Sequence, residues 1–129
     1  MRFLLDTHVW LWMIAERERF SVEVAALLEN SANDLLLSAV SSWEIAIKHS
    51  VGKLTLPAPP AKYVPEQIAK TGVTPLPVEH SHALRVASLP PHHRDPFDRL
   101  LVAQAMSEKL TLVTRDEVFG RYGVLLLRA

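Results

Sequence analysis

Five short apolar runs recur along the chain, at Arg2 to Leu5, Leu35 to Ser38, Val73 to Leu76, Leu110 to Thr114 and Val124 to Leu127. Between them lie segments whose apolar residues repeat with helical spacing: Val9 to Glu18, Ser21 to Asn30, Ser41 to His49, Ala61 to Lys70, Glu79 to Ala87 and Pro96 to Lys109. This alternation constrains the fold more than any other feature of the sequence. Strands that take turns with helices are joined by crossovers rather than hairpins, which predicts an α/β fold with a mostly parallel sheet covered on both faces. Order carries the reading, because only some of the runs are rich in β-branched residues. With 129 residues, 49% of them hydrophobic, the chain suffices for one core, and a single domain over residues 1 to 129 is expected.

Crossovers between parallel strands are right-handed, so the carboxyl ends of the strands line one edge of the sheet, where open α/β folds bind ligands. Asp6 follows "RFLL" directly, and Asp116 follows "LTLVTR" with only Arg115 between it and the run. A crossover helix runs antiparallel to the strand it feeds, so its first turn lies at that same edge. This brings in Asp98, in "HHRDPFDRLLVAQA", and Glu44, in "SSWEIAIK". Four carboxylates from four separated parts of the chain are thereby directed to one place.

Each acid also has a purely local use. Asp95, Pro96 and Asp98 read as N-cap, first helical position and N3, a capping box with Asp in both roles. Asp6 suits the cap of the first helix, Glu44 the N3 partner of Ser41, and Asp116 the cap of a last short helix. Capping does not explain the gathering of all four, since like charges at one edge repel and raise one another's pKa unless a cation neutralises them. A divalent metal resolves the conflict. An oxygen-only ligand set suits Mg²⁺ or Mn²⁺ rather than zinc or copper, and such a site orients water against a phosphodiester. Lys plus Arg and Asp plus Glu are both 14, so no overall positive field draws nucleic acid, and the metal supplies that charge. The lack of cysteine excludes disulfides, thiolate zinc sites and thiol nucleophiles, and fits a reducing compartment.

Taken together, "FLLDTHVWLW", "SSWEIAIK", "LPPHHRDPFDRLLVAQA" and "LTLVTRD" resemble, in order and spacing, a PIN-domain ribonuclease, closest to the VapC-type toxins of bacterial toxin–antitoxin pairs. The resemblance spans nearly the whole chain and implies a PIN-like three-layer fold. It implies a Mg²⁺-dependent (or Mn²⁺-dependent) endoribonuclease whose metal-binding, catalytic acids are Asp6, Glu44, Asp98 and Asp116, with Thr7 and Thr114 beside them as hydroxyl partners. The pattern selects Asp98 over Asp95, which remains the helix cap. It further implies a cognate antitoxin in the active-site groove, a homodimer and a type II toxin. Among Arg94, Arg99 and Arg115, each is a candidate phosphate contact or a cation paired locally.

Other features carry less. His92 and His93 are adjacent, and His80 and His82 are two apart, so neither pair has the i, i+4 spacing of a helical zinc site. His8 is close to Asp6 but reads first as structural. "GKLT" at Gly52 lacks the upstream glycine and the hydroxyl directly after Lys53 that a phosphate loop needs. Trp10, Trp12 and Trp43 are expected in or at the core, with Trp10 or Trp12 as the alternative surface for self-association. The run "VWLWMIA" is too short to span a membrane and poorly shaped for a signal peptide, so a cytoplasmic protein without membrane contact is expected. Two competing readings remain: a PIN-like binding module without catalysis, and a Mg²⁺-dependent phosphotransfer or phosphatase domain. The latter needs a lysine at a late strand end or an Asp-x-Asp pair after the first strand, and here those places hold Thr114–Arg115 and Asp6–Thr7–His8.

Overall fold

The computed structural model describes all residues, 1–129. Five strands, β1 (Arg2–Leu5), β2 (Asp34–Ser38), β3 (Thr74–Leu76), β4 (Thr111–Thr114) and β5 (Leu126–Arg128), form one sheet in the order β3-β2-β1-β4-β5, and every pairing is parallel. The helices are α1 (Thr7–Ala15), α2 (Val22–Glu29), α3 (Ala39–Ser50), α4 (Pro60–Thr71), α5 (His80–Arg85) and α6 (Pro96–Glu108), with 3₁₀ turns at Arg17–Arg19, Val86–Ser88 and Glu117–Tyr122. The expected α/β architecture and its strand count hold. Boundaries move by one to three residues: the first helix starts two residues early, at Thr7, and ends at Ala15, and the last strand starts at Leu126.

Strand alternation divides the interior into two layers. Phe3, Leu5, Leu35, Leu37 and Val113 pack with Val9, Trp10 and Met13 of α1, Leu28 of α2, Ile45 of α3 and Val64 of α4. Leu4, Leu36 and Leu112 point the other way, onto Leu101, Val102 and Ala105 of α6 and onto Phe119 and Tyr122. The strands are therefore apolar at consecutive positions, as a sheet buried on both faces requires. Gly72 stops α4 in the left-handed region at φ 71°, its N–H bonding to the Ile68 carbonyl at 3.1 Å.

Between α5 and α6 lies a buried polar chain. The Ser38 hydroxyl meets Gln104 Oε1, while Gln104 Nε2 donates to the Pro77 carbonyl at 3.0 Å and lies 3.3 Å from His82 Nδ1. His82 Nδ1 also accepts the Glu79 N–H at 3.0 Å, and Nε2 lies 2.8 Å from Glu108 Oε1. With Nδ1 an acceptor, the neutral ring carries its proton on Nε2. No helix is long and apolar enough to cross a membrane.

Candidate active site

The strand order reverses at β1, which has β2 on one side and β4 on the other. Outside the carboxyl ends of β1 and β4 the chains part to opposite faces of the sheet, the kind of switch point at which open α/β sheets bind ligands. Asp6 stands at this switch point, directly after β1. Its N–H bonds to the Val113 carbonyl at 2.9 Å, which carries the β1–β4 ladder one residue further and fixes the backbone. Its side chain does not cap α1; Oδ2 accepts the Thr114 hydroxyl at 2.7 Å instead. Burial raises the Asp6 pKa, the Thr114 hydrogen bond and His8 oppose that rise, and the charge of Glu44 adds to it.

Glu44 is placed by a different local rule from the expected one. The N-cap of α3 is Ser38, whose Oγ accepts the Val40 N–H at 3.0 Å, so Glu44 lies in the second turn and is not the N3 partner of Ser41. Its buried carboxylate accepts the Thr7 hydroxyl on Oε1 at 2.7 Å and the Lys48 ammonium on Oε2. Thr7 Oγ1 also lies 2.8 Å from Ser41 Oγ. Burial acts to lower the Lys48 pKa and is overcome by Glu44, then by Asp95 and Asp98, so the net shift is upward. Lys48 is thus a cation among the acids that the sequence reading did not single out. The signal was available, because Glu and Lys at i, i+4 share a helix face.

Asp95 caps α6 as expected, its Oδ1 accepting the N–H groups of Phe97 at 2.7 Å and Asp98 at 3.3 Å. The reciprocal half of a capping box is missing, since Asp98 does not reach back to the Asp95 N–H. The Asp98 carboxyl accepts no hydrogen bond from the chain and has no ion-pair partner. Burial, then the charges of Asp95, Asp6 and Glu44, push its pKa up to about 7, with His93 pulling the other way.

Asp116 occupies the rim, its side chain 43% exposed. Oδ1 accepts the Val118 N–H at 3.0 Å, which makes it the expected cap of the last short helix, and Oδ2 lies 2.9 Å from His93 Nε2. Burial acts to raise its pKa but is outweighed by the hydrogen bonds of His93 and Val118, so the net shift is downward. Its N–H meets the same Thr114 hydroxyl that holds Asp6, at 3.1 Å. Asp6, Glu44 and Asp98 therefore feel one another's charge directly, and Asp116 joins them through Thr114 and His93.

Residues 3–125 match the PIN domain family. The chain belongs to that family. It is 32% identical to Ribonuclease VapC22 of Mycobacterium tuberculosis over 117 residues, 88% of this chain and 85% of that protein. It is 47% identical to Ribonuclease VapC16 of the same organism over 60 residues, 46% of this chain and 43% of that protein, so the chain matches under half of that relative's length. The crystal structure of VapBC2 from Rickettsia felis bound to a promoter DNA fragment is similar in fold, with a TM-score of 0.73 at 17% identity over 100% of this chain and 99% of that one.

The donor set of this PIN domain fits a hard divalent cation. All four side chains offer carboxylate oxygen, and Asp98, crowded by three other acids, lacks any cationic partner of its own. No three acidic or imidazole groups are drawn together as a ready ion cage.

Two of the three candidate arginines are committed elsewhere. The Arg99 guanidinium donates to the carbonyls of Val86, Leu89, Pro90 and His93 at 3.0 to 3.3 Å and clamps the loop before α6. Arg115 donates to the carbonyls of Ala129 and Arg19 and stacks over Trp12 at 4.3 Å. Arg94 is exposed and has no such partner. Of the tryptophans, Trp10 is wholly buried, its Nε1–H bonding to Thr71 at 3.1 Å, and Trp12 is covered by Arg19 and Arg115. The exposed one is Trp43, at 49%, packed edge-on against Phe97 beside the site. Neither Trp10 nor Trp12 forms an exposed apolar surface; Trp43 and Ile47 on α3 and Val51 at its C-cap, at four-residue intervals, do.

Proposed function

We propose that the protein is a VapC-type endoribonuclease that hydrolyses RNA phosphodiester bonds with a divalent metal, Mg²⁺ by preference over Mn²⁺, as the toxin of a type II toxin–antitoxin pair. The observation that carries the reading is the partnerless, half-buried Asp98 carboxyl held among Asp95, Asp6 and Glu44 at the carboxyl edge of a parallel sheet. The PIN family match and the ribonuclease relatives support this reading.

In this reading Asp6, Glu44, Asp98 and Asp116 are the metal-binding and catalytic acids. A divalent ion held by these acids would supply water activation and charge neutralisation at the phosphate. The residues of the chain do the positioning: Thr114 orients Asp6, Thr7 orients Glu44, and Lys48 offsets the Glu44 charge. Arg94 is the cation at the site left free to meet a phosphate. The same reading has one PIN domain over residues 1–129, acting in the cytoplasm, pairing as a homodimer and silenced by a cognate antitoxin protein. The exposed Trp43, Ile47 and Val51 support a protein partner beside the site.

The test is RNA cleavage by Asp6→Asn and Asp98→Asn with Mg²⁺, folding being checked by circular dichroism. Losing a ligand should lower the rate by more than the ~100-fold that marks loss of a residue behind a ligand. Folded variants that cut RNA at the wild-type rate refute the assignment. A stable aspartyl phosphate after incubation with acetyl phosphate, with no RNA cut, favours the phosphotransfer reading. RNA binding without cleavage favours the binding module.

A further inference from the structure

His93 enters the site from the loop before α6, yet it belongs to no acid-capping or metal-spacing pattern. Its ring lies parallel to that of Tyr122, with centroids 5.6 Å apart and planes at 9°, and packs on Phe119 at 4.5 Å. The Tyr122 hydroxyl accepts the His93 main-chain N–H at 2.8 Å and lies 3.1 Å from His93 Nδ1. A phenol has one hydrogen to give. An ionised carboxylate only accepts, so Nε2 facing Asp116 carries the ring proton; Nδ1 of the neutral ring is then an acceptor, and the Tyr122 hydroxyl gives its hydrogen to it. Nε2–H is the atom facing Asp116 Oδ2 at 2.9 Å. The tautomer is therefore held at both ends, by Asp116 and by a tyrosine that hydrogen-bonds none of the four acids.

The consequence falls on Asp116. Half-exposed and at the rim, its carboxylate would otherwise rotate freely, and ordering it on metal binding would weaken that binding. Val118 N–H fixes Oδ1 and His93 Nε2–H fixes Oδ2, so the carboxylate plane is set from both sides while each oxygen keeps a lone pair to offer. Arg99, by holding the His93 carbonyl and three others of the same loop, keeps the imidazole at that height.

We infer that His93 is a positioning residue for the metal site, its tautomer held from behind by the Tyr122 hydroxyl so that it presents Asp116 to the cation already oriented. This rests on the reading of Asp116 as a ligand. It extends to this site the general behaviour of groups that orient metal ligands from behind.

Mn²⁺ affinity, measured directly by calorimetry or by the paramagnetic signal of free Mn²⁺, tests it on the full chain without RNA. His93→Phe keeps an aromatic ring and removes the donor; affinity should fall roughly 10- to 100-fold. His93→Gln places an amide N–H near the lost Nε2–H and should restore most of the affinity. Tyr122→Phe keeps the stack and releases one end of the tautomer, and should weaken Mn²⁺ binding several-fold although no acid has lost a contact. A merely structural role would lower the thermal midpoint of these variants and leave Mn²⁺ affinity alone. If His93→Phe does not fold, Tyr122→Phe decides. Wild-type affinity in folded Tyr122→Phe and His93→Phe, with binding lost in Asp116→Asn, overturns the proposal alone. Wild-type affinity in Asp116→Asn overturns the ligand reading and the proposal with it.

Discussion

Two histidines in this molecule, His82 buried and His93 half-buried, face carboxylates, and their geometry is nearly the same. His82 accepts at Nδ1 and meets Glu108 through Nε2 at 2.8 Å; His93 is held at Nδ1 by Tyr122 and meets Asp116 through Nε2 at 2.9 Å. What differs is the company of the carboxylate. Glu108 closes α6, and its carbonyl accepts from Arg2 at 3.3 Å, at the start of β1. Asp116 follows β4 and shares the Thr114 hydroxyl with Asp6, at the carboxyl edge. A histidine–carboxylate pair is thus not a site by itself. Between α5 and α6 it satisfies buried polar atoms and joins the two helices; beside Asp6 the same pair orients an acid among other acids.

The largest effect that would break or support this contrast is at His82. His82→Leu leaves the Glu79 N–H and the Glu108 carboxylate without their partner and should destabilise the fold by about 3 kcal/mol in chemical denaturation. Mn²⁺ affinity of the folded fraction should not change. If it falls as for the His93 variants, the two pairs are not functionally distinct.

The acids at the carboxyl edge should also leave a signature in pH. The unfolded chain releases the Asp98 proton near its ordinary 3.8 and the folded chain near 7. Between those values the folded state binds more protons, so stability falls as pH rises through this window. Asp6, also raised, acts in the same direction. Asp116, lowered, does the opposite: its contribution is present above 3.8 and is lost as pH falls through its folded pKa. Asp98→Asn should remove about 1–2 kcal/mol of the metal-free decline, allowing for solvent screening of a partly exposed group. An unchanged slope in thermal melts from pH 4 to 8 would mean that Asp98 is not crowded by the other acids.

Lys48→Met sharpens the contrast within the site itself. It leaves Glu44 with Thr7 alone, and since Lys48 is about one-third exposed the loss should be roughly 1 kcal/mol, below the cost of a fully buried pair. The variant should gain more thermal stability from Mn²⁺ than wild type does, because the cation then offsets a charge that Lys48 had covered. An equal gain would show that Lys48 does not compete with metal for the acids. The smallest effect is expected at Arg94, where Arg94→Ala should change stability by less than about 0.5 kcal/mol. Its contribution should appear in RNA binding, as a salt-dependence slope shallower by about one phosphate contact. An unaltered slope would remove Arg94 from the substrate path.

The site was legible where a residue's role follows from its place on an element. Asp6 and Asp116 follow apolar runs directly, and Asp98 opens the helix that returns to the same edge. Glu44 was placed near that edge through the wrong cap, since Ser38 rather than Ser41 starts α3. The error was harmless because the helix still begins at the end of β2. Lys48 was readable from helical spacing and was overlooked. His93 was set aside on metal-ligand spacing, the wrong criterion for a group that acts on a ligand through a hydrogen bond. Its partner Tyr122 lies 29 residues away, with no local signal linking the two. Arg99 and Arg115 looked like phosphate contacts because guanidinium chemistry does not reveal whether carbonyls will claim it first.

By itself, the sequence determined the alternation of strands and helices, the burial of the sheet on both faces, and the edge at which the acids gather. These follow from hydrophobic periodicity and crossover handedness, which act over a few residues or on element order alone. The tertiary structure decided which polar groups pair: Thr114 with Asp6, Lys48 with Glu44, Tyr122 through His93 with Asp116, and no group with Asp98. Hydrogen bonds and charges are settled over a few ångströms, and only packing determines which distant side chains come that close.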